Sequence, residues 1–217
     1  MPVHDVVEAF AVAGVATAAV VGSPEVATAW DDASALVGYR VGELAAHTLL
    51  ATARLEAVLT EEGRADPVVV DLAGFYGPNR VDGPADADAG LHPLVRAAAA
   101  DAAGPGPAVV AEELRDVLDR LRGPLAAADP ARLVSVVNVR RGATRLDTYL
   151  RTRVVELVVH GDDLAASVAL AYEPPPAAVD VTLGVCLELA RARSGDLAVV
   201  RALVRRERAD AEVLRVL

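Results

Sequence analysis

The sequence predicts an all-α protein, a four-helix bundle with a short helical C-terminal extension. Three observations point there. Apolar residues recur at helical spacing over several long stretches. Breaker-rich segments such as "GSP", "GPGP" and "YEPPPAAVD" separate those stretches. Strand signals are weak throughout. Of the 217 residues, 53% are hydrophobic but only 3% aromatic. Ala and Val therefore build most of the core, and helices must approach closely through small side chains. The length suits one good core, or one core plus an appendage. The proline linker divides the chain into a bundle, 1–171, and an extension, 172–217.

Each element follows from local chemistry. Residues 3–21 form a first helix, Ala-rich and apolar on most sides. "GSP" ends it, with Ser23 able to cap a following turn and Pro24 at a first-turn position. "EVATAWDDASAL" reads as a short helix or turn. From Val41 to Glu62 runs one long helix with Leu44, His47, Thr48, Ala51, Leu55 and Val58 on one face, and Gly63 as its stop. Residues 64–92 are rich in Pro, Gly and Asp, with a short strand at "PVVVDL"; such a stretch serves as a crossover or a functional lid. "LVRAAAADAA" is a short helix. Val109–Ala127 is a clear one, with Val110, Leu114, Val117, Leu118 and Leu121 inward and charged pairs outward. "ADPARLVSVVNVRRGATR" connects to a helix over Leu146–Leu170. Two more helices, about 177–193 and 196–209, are split by "RSGD".

Composition excludes several functions. All 21 basic residues are Arg, which rules out a phosphate-binding P-loop lysine and Schiff-base chemistry. A net charge of −10 opposes general nucleic-acid binding. The basic clusters, Arg140–Arg141 and Arg205, Arg206 and Arg208, read as short solvated ends. The single cysteine, Cys186, forms no intrachain disulfide and lies in apolar "LGVCLELA", the setting of an inert thiol. A reducing cytoplasm fits. The start carries Asp5 and Glu8, unlike a signal peptide, and the apolar run Ala9–Gly22 is too short to span a bilayer. No G-x-S-x-G, H-E-x-x-H, G-x-G-x-x-G or C-x-x-C motif is present.

One segment demands an explanation. "RVVELVVHGDDLA" is a helix apolar on most of its surface, through Val154, Val155, Leu157, Val158, Val159 and Leu164. Yet Arg153, Glu156, His160 and Asp163 fall within an arc of roughly 80°. A helix apolar nearly all round is buried, and buried ionisable groups need partners or a metal. Glu156 and His160, four apart, stack on one face. Imidazole with carboxylate suits zinc or another divalent transition metal. A third ligand has to come from another helix. Of the four histidines, His4 is terminal, His92 precedes a proline in the irregular stretch, and His47 lies on an inward helix face. One ion would satisfy His47, Glu156 and His160 together; a structural ion-pair network is the alternative. Three protein ligands leave a fourth position open, the pattern of a catalytic site. Asp163 is placed to orient the His160 imidazole. Arg153 either binds an anionic substrate group or neutralises Glu156 or Asp163.

The pair "VGYRVGELAAHTLLATARL" and "YLRTRVVELVVHGDDLA" resembles the mycothiol-dependent maleylpyruvate isomerase family, among the DinB-like metal-dependent four-helix bundles. The resemblance covers about residues 5–170. It implies zinc held by His47, Glu156 and His160, with mycothiol bound as thiolate at the open position. The thiolate then attacks an electrophilic small molecule, giving isomerisation or S-transfer. A zinc-dependent hydrolase on the same ligands, or a non-catalytic metal-binding bundle, are the other readings. The expected partners are mycothiol and the electrophile, with no nucleic acid and no membrane, in a monomer or homodimer. Tyr39 stands where the family more often has Trp. The C-terminal segment is shorter than the isomerase's α/β appendage, so maleylpyruvate itself does not carry over.

Overall fold

A computed structural model describes residues 3–63, 65–77, 92–137, 139–208 and 210–216. Residue 64 and residues 78–91, part of the stretch 64–92 expected to act as a crossover or lid, lie outside them. Four long helices close a ring: α1 (Val3–Val21), α3 (Val41–Thr60), α6 (Pro107–Ala127) and α7 (Leu146–Ser167). Within it α1 packs on α6 and α7, and α3 packs on the same two. A short α2 (Pro24–Thr28) precedes α3, and α5 (His92–Ala103) lies along its outer side. In the C-terminal segment α8 (Pro176–Ser194) packs on α7 and α1, and α9 (Asp196–Val204) packs on α8. Among the described residues no helix is long and apolar enough to cross a membrane.

Small residues make the close helix packing that the composition implies. Ala9, Ala13, Ala45 and Ala46 are fully buried between larger Leu44, Leu55, Leu114, Leu121 and Leu157. Gly161 in α7 is one such approach. A Cβ there would lie 2.7 Å from the Tyr172 ring and 3.1 Å from Thr17 Oγ1. Thr17 in turn donates to the Leu157 carbonyl at 2.8 Å, tying α1 to α7.

Helix ends follow from local donors and acceptors. Ser23 Oγ accepts from Val26 N at 3.2 Å and starts α2, with Pro24 in its first turn. Arg40 N donates to Glu43 Oε2 at 2.9 Å, the reciprocal half of a capping box at the start of α3. At its other end α3 stops at Thr60, before Gly63. Arg132 donates to Leu59 O at 2.9 Å and Glu61 O at 3.3 Å, satisfying orphan carbonyls with a cation.

Three expectations need correction. The segment 128–145 is more than a connection. It contributes β2 (Leu133–Ser135) and β3 (Gly142–Arg145), and β1 (Val68–Val69) joins them in a sheet of order β1-β3-β2. β1 runs parallel to β3 with Val68 opposite Gly142, and β2 runs antiparallel with Val134 opposite Thr144. Strands of two to four residues are too short to display a period-2 pattern. The irregular stretch also holds a five-residue helix, α4 (Leu72–Tyr76), capped by Asp71 Oδ1 accepting from Gly74 N at 2.8 Å. The last helix ends at Val204 and not at 209; short 3-10 turns follow at 206–208 and 211–214.

The entry of α3 is set by the single tryptophan. Gly42 N donates to Trp30 O at 2.9 Å, and a Cβ on Gly42 would lie 2.5 Å from the indole. Gly42→Ala should therefore cost about 1–3 kcal/mol in urea unfolding and shift Trp30 fluorescence, because a bulky ring must move. Wild-type stability with an unchanged spectrum would contradict this packing.

Candidate metal centre

The α7 stripe meets α3 inside the bundle. Buried Val154, Leu157 and Leu164 fix the rotation of α7, so that Glu156 and His160 turn toward α3. Buried Leu44, Thr48 and Leu55 do the same for α3 and bring His47 to them. One ligand-type atom from each of His47, Glu156 and His160 lies within 4.8 Å of the others. Glu156 Oε2 is 3.0 Å from His160 Nε2 and 3.5 Å from His47 Nε2. The imidazole rings stand edge to face, 5.0 Å apart.

The donor set suits a divalent transition metal. Ligand atoms around a tetrahedral zinc are about 3.3 Å apart, given zinc–nitrogen bonds of about 2.0 Å. The two measured separations bracket that spacing. Asp163 Oδ2 accepts from His160 Nδ1 at 3.2 Å, which leaves Nε2 to face the centre. Ser167 Oγ donates to the Asp163 carbonyl at 2.6 Å and accepts from Ala35 N at 2.8 Å, tying the loop before α3 to this end of α7.

Arg153 lies on the same stripe and is only 8% exposed. Its Nη2 is 3.6 Å from Glu156 Oε1, its Nε donates to Thr152 Oγ1 at 3.1 Å, and its guanidinium stacks 4.9 Å above the Tyr149 ring. Of the two acids offered to it by the sequence, it faces Glu156, while Asp163 faces His160. Tyr39 reaches the other side of the site, its ring 5.8 Å from that of His47. Tyr149 and Thr152 escaped the sequence reading, although Tyr149 is one turn before Arg153 on the same face. Extending the stripe back by four residues finds it.

Electrostatics couples these groups. Burial pushes the Glu156 carboxyl up, but His160, His47 and Arg153 together hold it well below the usual carboxylate range. Burial likewise opposes charge on His160, yet Asp163 and Glu156 win and raise it to about 9. A raised histidine stabilises the fold fully below its unfolded value of about 6.5, and that contribution is lost as pH rises toward 9. In chelator-treated protein, NMR should therefore find His160 titrating well above pH 7, and Asp163→Asn should bring it down. Stability should decline from pH 6.5 to 9. A His160 titrating near 6.5 in the wild type would contradict the arrangement.

No curated protein and no solved structure matches the chain significantly. The sequence profile of the mycothiol maleylpyruvate isomerase N-terminal domain does match, over residues 10–165. That span contains α3 and α6 whole, α7 up to its last two residues, the part of α1 from Phe10 onward, and the residues His47, Arg153, Glu156, His160 and Asp163. The chain belongs to the family defined by that domain.

Proposed function

We propose that the protein is a zinc-dependent enzyme that uses mycothiol, as cofactor or co-substrate, for isomerisation of or S-transfer to an electrophilic small molecule. The observation that carries the reading is the convergence of His47, Glu156 and His160 from two helices, with family membership beside it. His47 and His160 offer nitrogen and Glu156 offers oxygen. A divalent ion held by them keeps a thiol deprotonated and nucleophilic at neutral pH.

The surrounding residues favour an anionic occupant. A divalent ion and Arg153 outweigh Glu156 and Asp163 by one positive charge, in a site where few groups reach water. A thiolate balances that excess. Arg153 keeps the Glu156 carboxylate ionised and turned toward the histidines, and Asp163 orients His160. The buried positions of Thr48, Thr52 and Thr152 around these helices hold the geometry, each hydroxyl donating to a backbone carbonyl within its own helix.

Two measurements test the reading. Cobalt-substituted protein titrated with mycothiol should develop a thiolate-to-metal charge-transfer band that saturates at one thiol per chain. A hydrolytic site using bound water would give no such band. Asp163→Asn should weaken metal affinity by about 10- to 100-fold while leaving helicity intact. Unchanged affinity would remove Asp163 from the centre.

A further inference from the structure

The C-terminal helix α9 carries two apolar faces. One is used by the fold: Val199 is buried, with half-buried Ala198 and Ala202 beside it, and α9 packs on α8. The other is turned to solvent. Leu197, Val200, Leu203 and Val204 are 60%, 51%, 57% and 62% exposed. At about 100° per residue they fall within an arc of roughly 120°. Single exposed leucines are ordinary, but four large aliphatic groups along one side of a nine-residue helix form a continuous patch. They leave roughly 400 Å² of apolar surface, within the range of patches that mark interaction sites on soluble proteins. Leu183 and Leu187 of α8, one turn apart, are exposed as well.

The charges beside the stripe say what covers it. Asp196 stands on one side of the line through Leu197, Val200 and Val204, and Arg201 stands on the other. The Arg201 guanidinium has no partner among the described residues. Asp196 accepts from Arg191 Nε at 2.8 Å and Nη2 at 3.2 Å, and its side chain remains 72% exposed, with lone pairs to spare. In heptad terms Leu197 and Val204 take position a, Val200 takes d, Asp196 takes g and Arg201 takes e.

We propose that α9 is a dimerisation helix, pairing in parallel with α9 of a second copy of this chain across a two-fold axis along its length. A parallel pair buries the a and d residues against their own copies. It also sets g of one chain beside e of the other, five residues on, so Asp196 meets Arg201 of the second copy twice over. An antiparallel pair would bring like flanks together, Arg201 against Arg201. An anionic lipid surface would suit the arginines at 205, 206 and 208 but would set Asp196 against like charge. A standard interface buries about 800 Å² per partner, and the stripe supplies about half of that, so the dimer dissociates in the micromolar range. Nothing in this pairing depends on the metal centre.

Analytical ultracentrifugation of the full chain tests it. Wild type should sediment as a dimer at about 100 µM and dissociate on dilution. Val200→Glu should be a monomer with unchanged helicity and melting temperature, since the position is exposed. In a Cys186→Ser background, Leu197→Cys and Val204→Cys should each give a disulfide-linked dimer with diamide, because a parallel pair sets each position against itself. An antiparallel pair centred on Val200 sets Leu197 against Leu203 and links neither. A wild type that stays monomeric at about 100 µM overturns the proposal, and co-sedimentation of that monomer with phosphatidylglycerol vesicles would assign the stripe to a lipid surface instead. A folded Val200→Glu that remains a dimer, or a dimer in which neither cysteine cross-links, also overturns it.

Discussion

The buried carboxylate of Glu156 is the constraint around which the site is arranged. A lone carboxylate in the middle of an Ala/Val bundle would neutralise or unfold its surroundings. Here it is ringed by His160, His47 and Arg153, and they hold it ionised. Each of those groups has an anchor of its own: Asp163 for His160, the Tyr149 ring and the Ala51 carbonyl for Arg153. Removing the Glu156 charge would leave a histidine pair and a guanidinium facing one another across a few ångströms. The network is costly as a stability device, since an apolar stripe would pack as well. The proposed cation-binding task would account for that cost.

How far the sequence discloses this depends on element length. α3 and α7 each run for five or more turns, so their apolar periodicity is unmistakable, and with it the arc holding Arg153, Glu156, His160 and Asp163. His47 could be paired with that arc because its own helix had a single inward imidazole. The capping of α2 by Ser23 was equally legible. The small sheet was not. Its strands are two to four residues long, and the β1–β3 pairing joins Val68 to Gly142 across the whole of α5 and α6. Local pattern carries no information about such a contact. The place of α4 was invisible for the same reason, because only tertiary packing brings it against α8 and its Phe75 to Tyr149 of α7.

The two levels of structure divide the work. Long helices, packed through alanine and glycine, supply a rigid frame in which three ligand-type groups meet with little side-chain freedom. A short element packs beside it: Tyr39, from the loop before α3, brings its ring to 5.8 Å from that of His47. The C-terminal α8 covers the outer side of α7 and backs Tyr76, with Arg151 donating to Glu188 at 2.7 Å across the contact.

The central claim is that the polar stripe of α7 exists to hold a metal with help from α3. Metal content per chain tests it most directly, measured on untagged protein beside His47→Ala. The account predicts one zinc, or one comparable divalent ion, in the native protein and its loss in the variant with helicity preserved. No metal in either protein would contradict it, and would make Arg153, Glu156, His160 and Asp163 a self-sufficient ion-pair network.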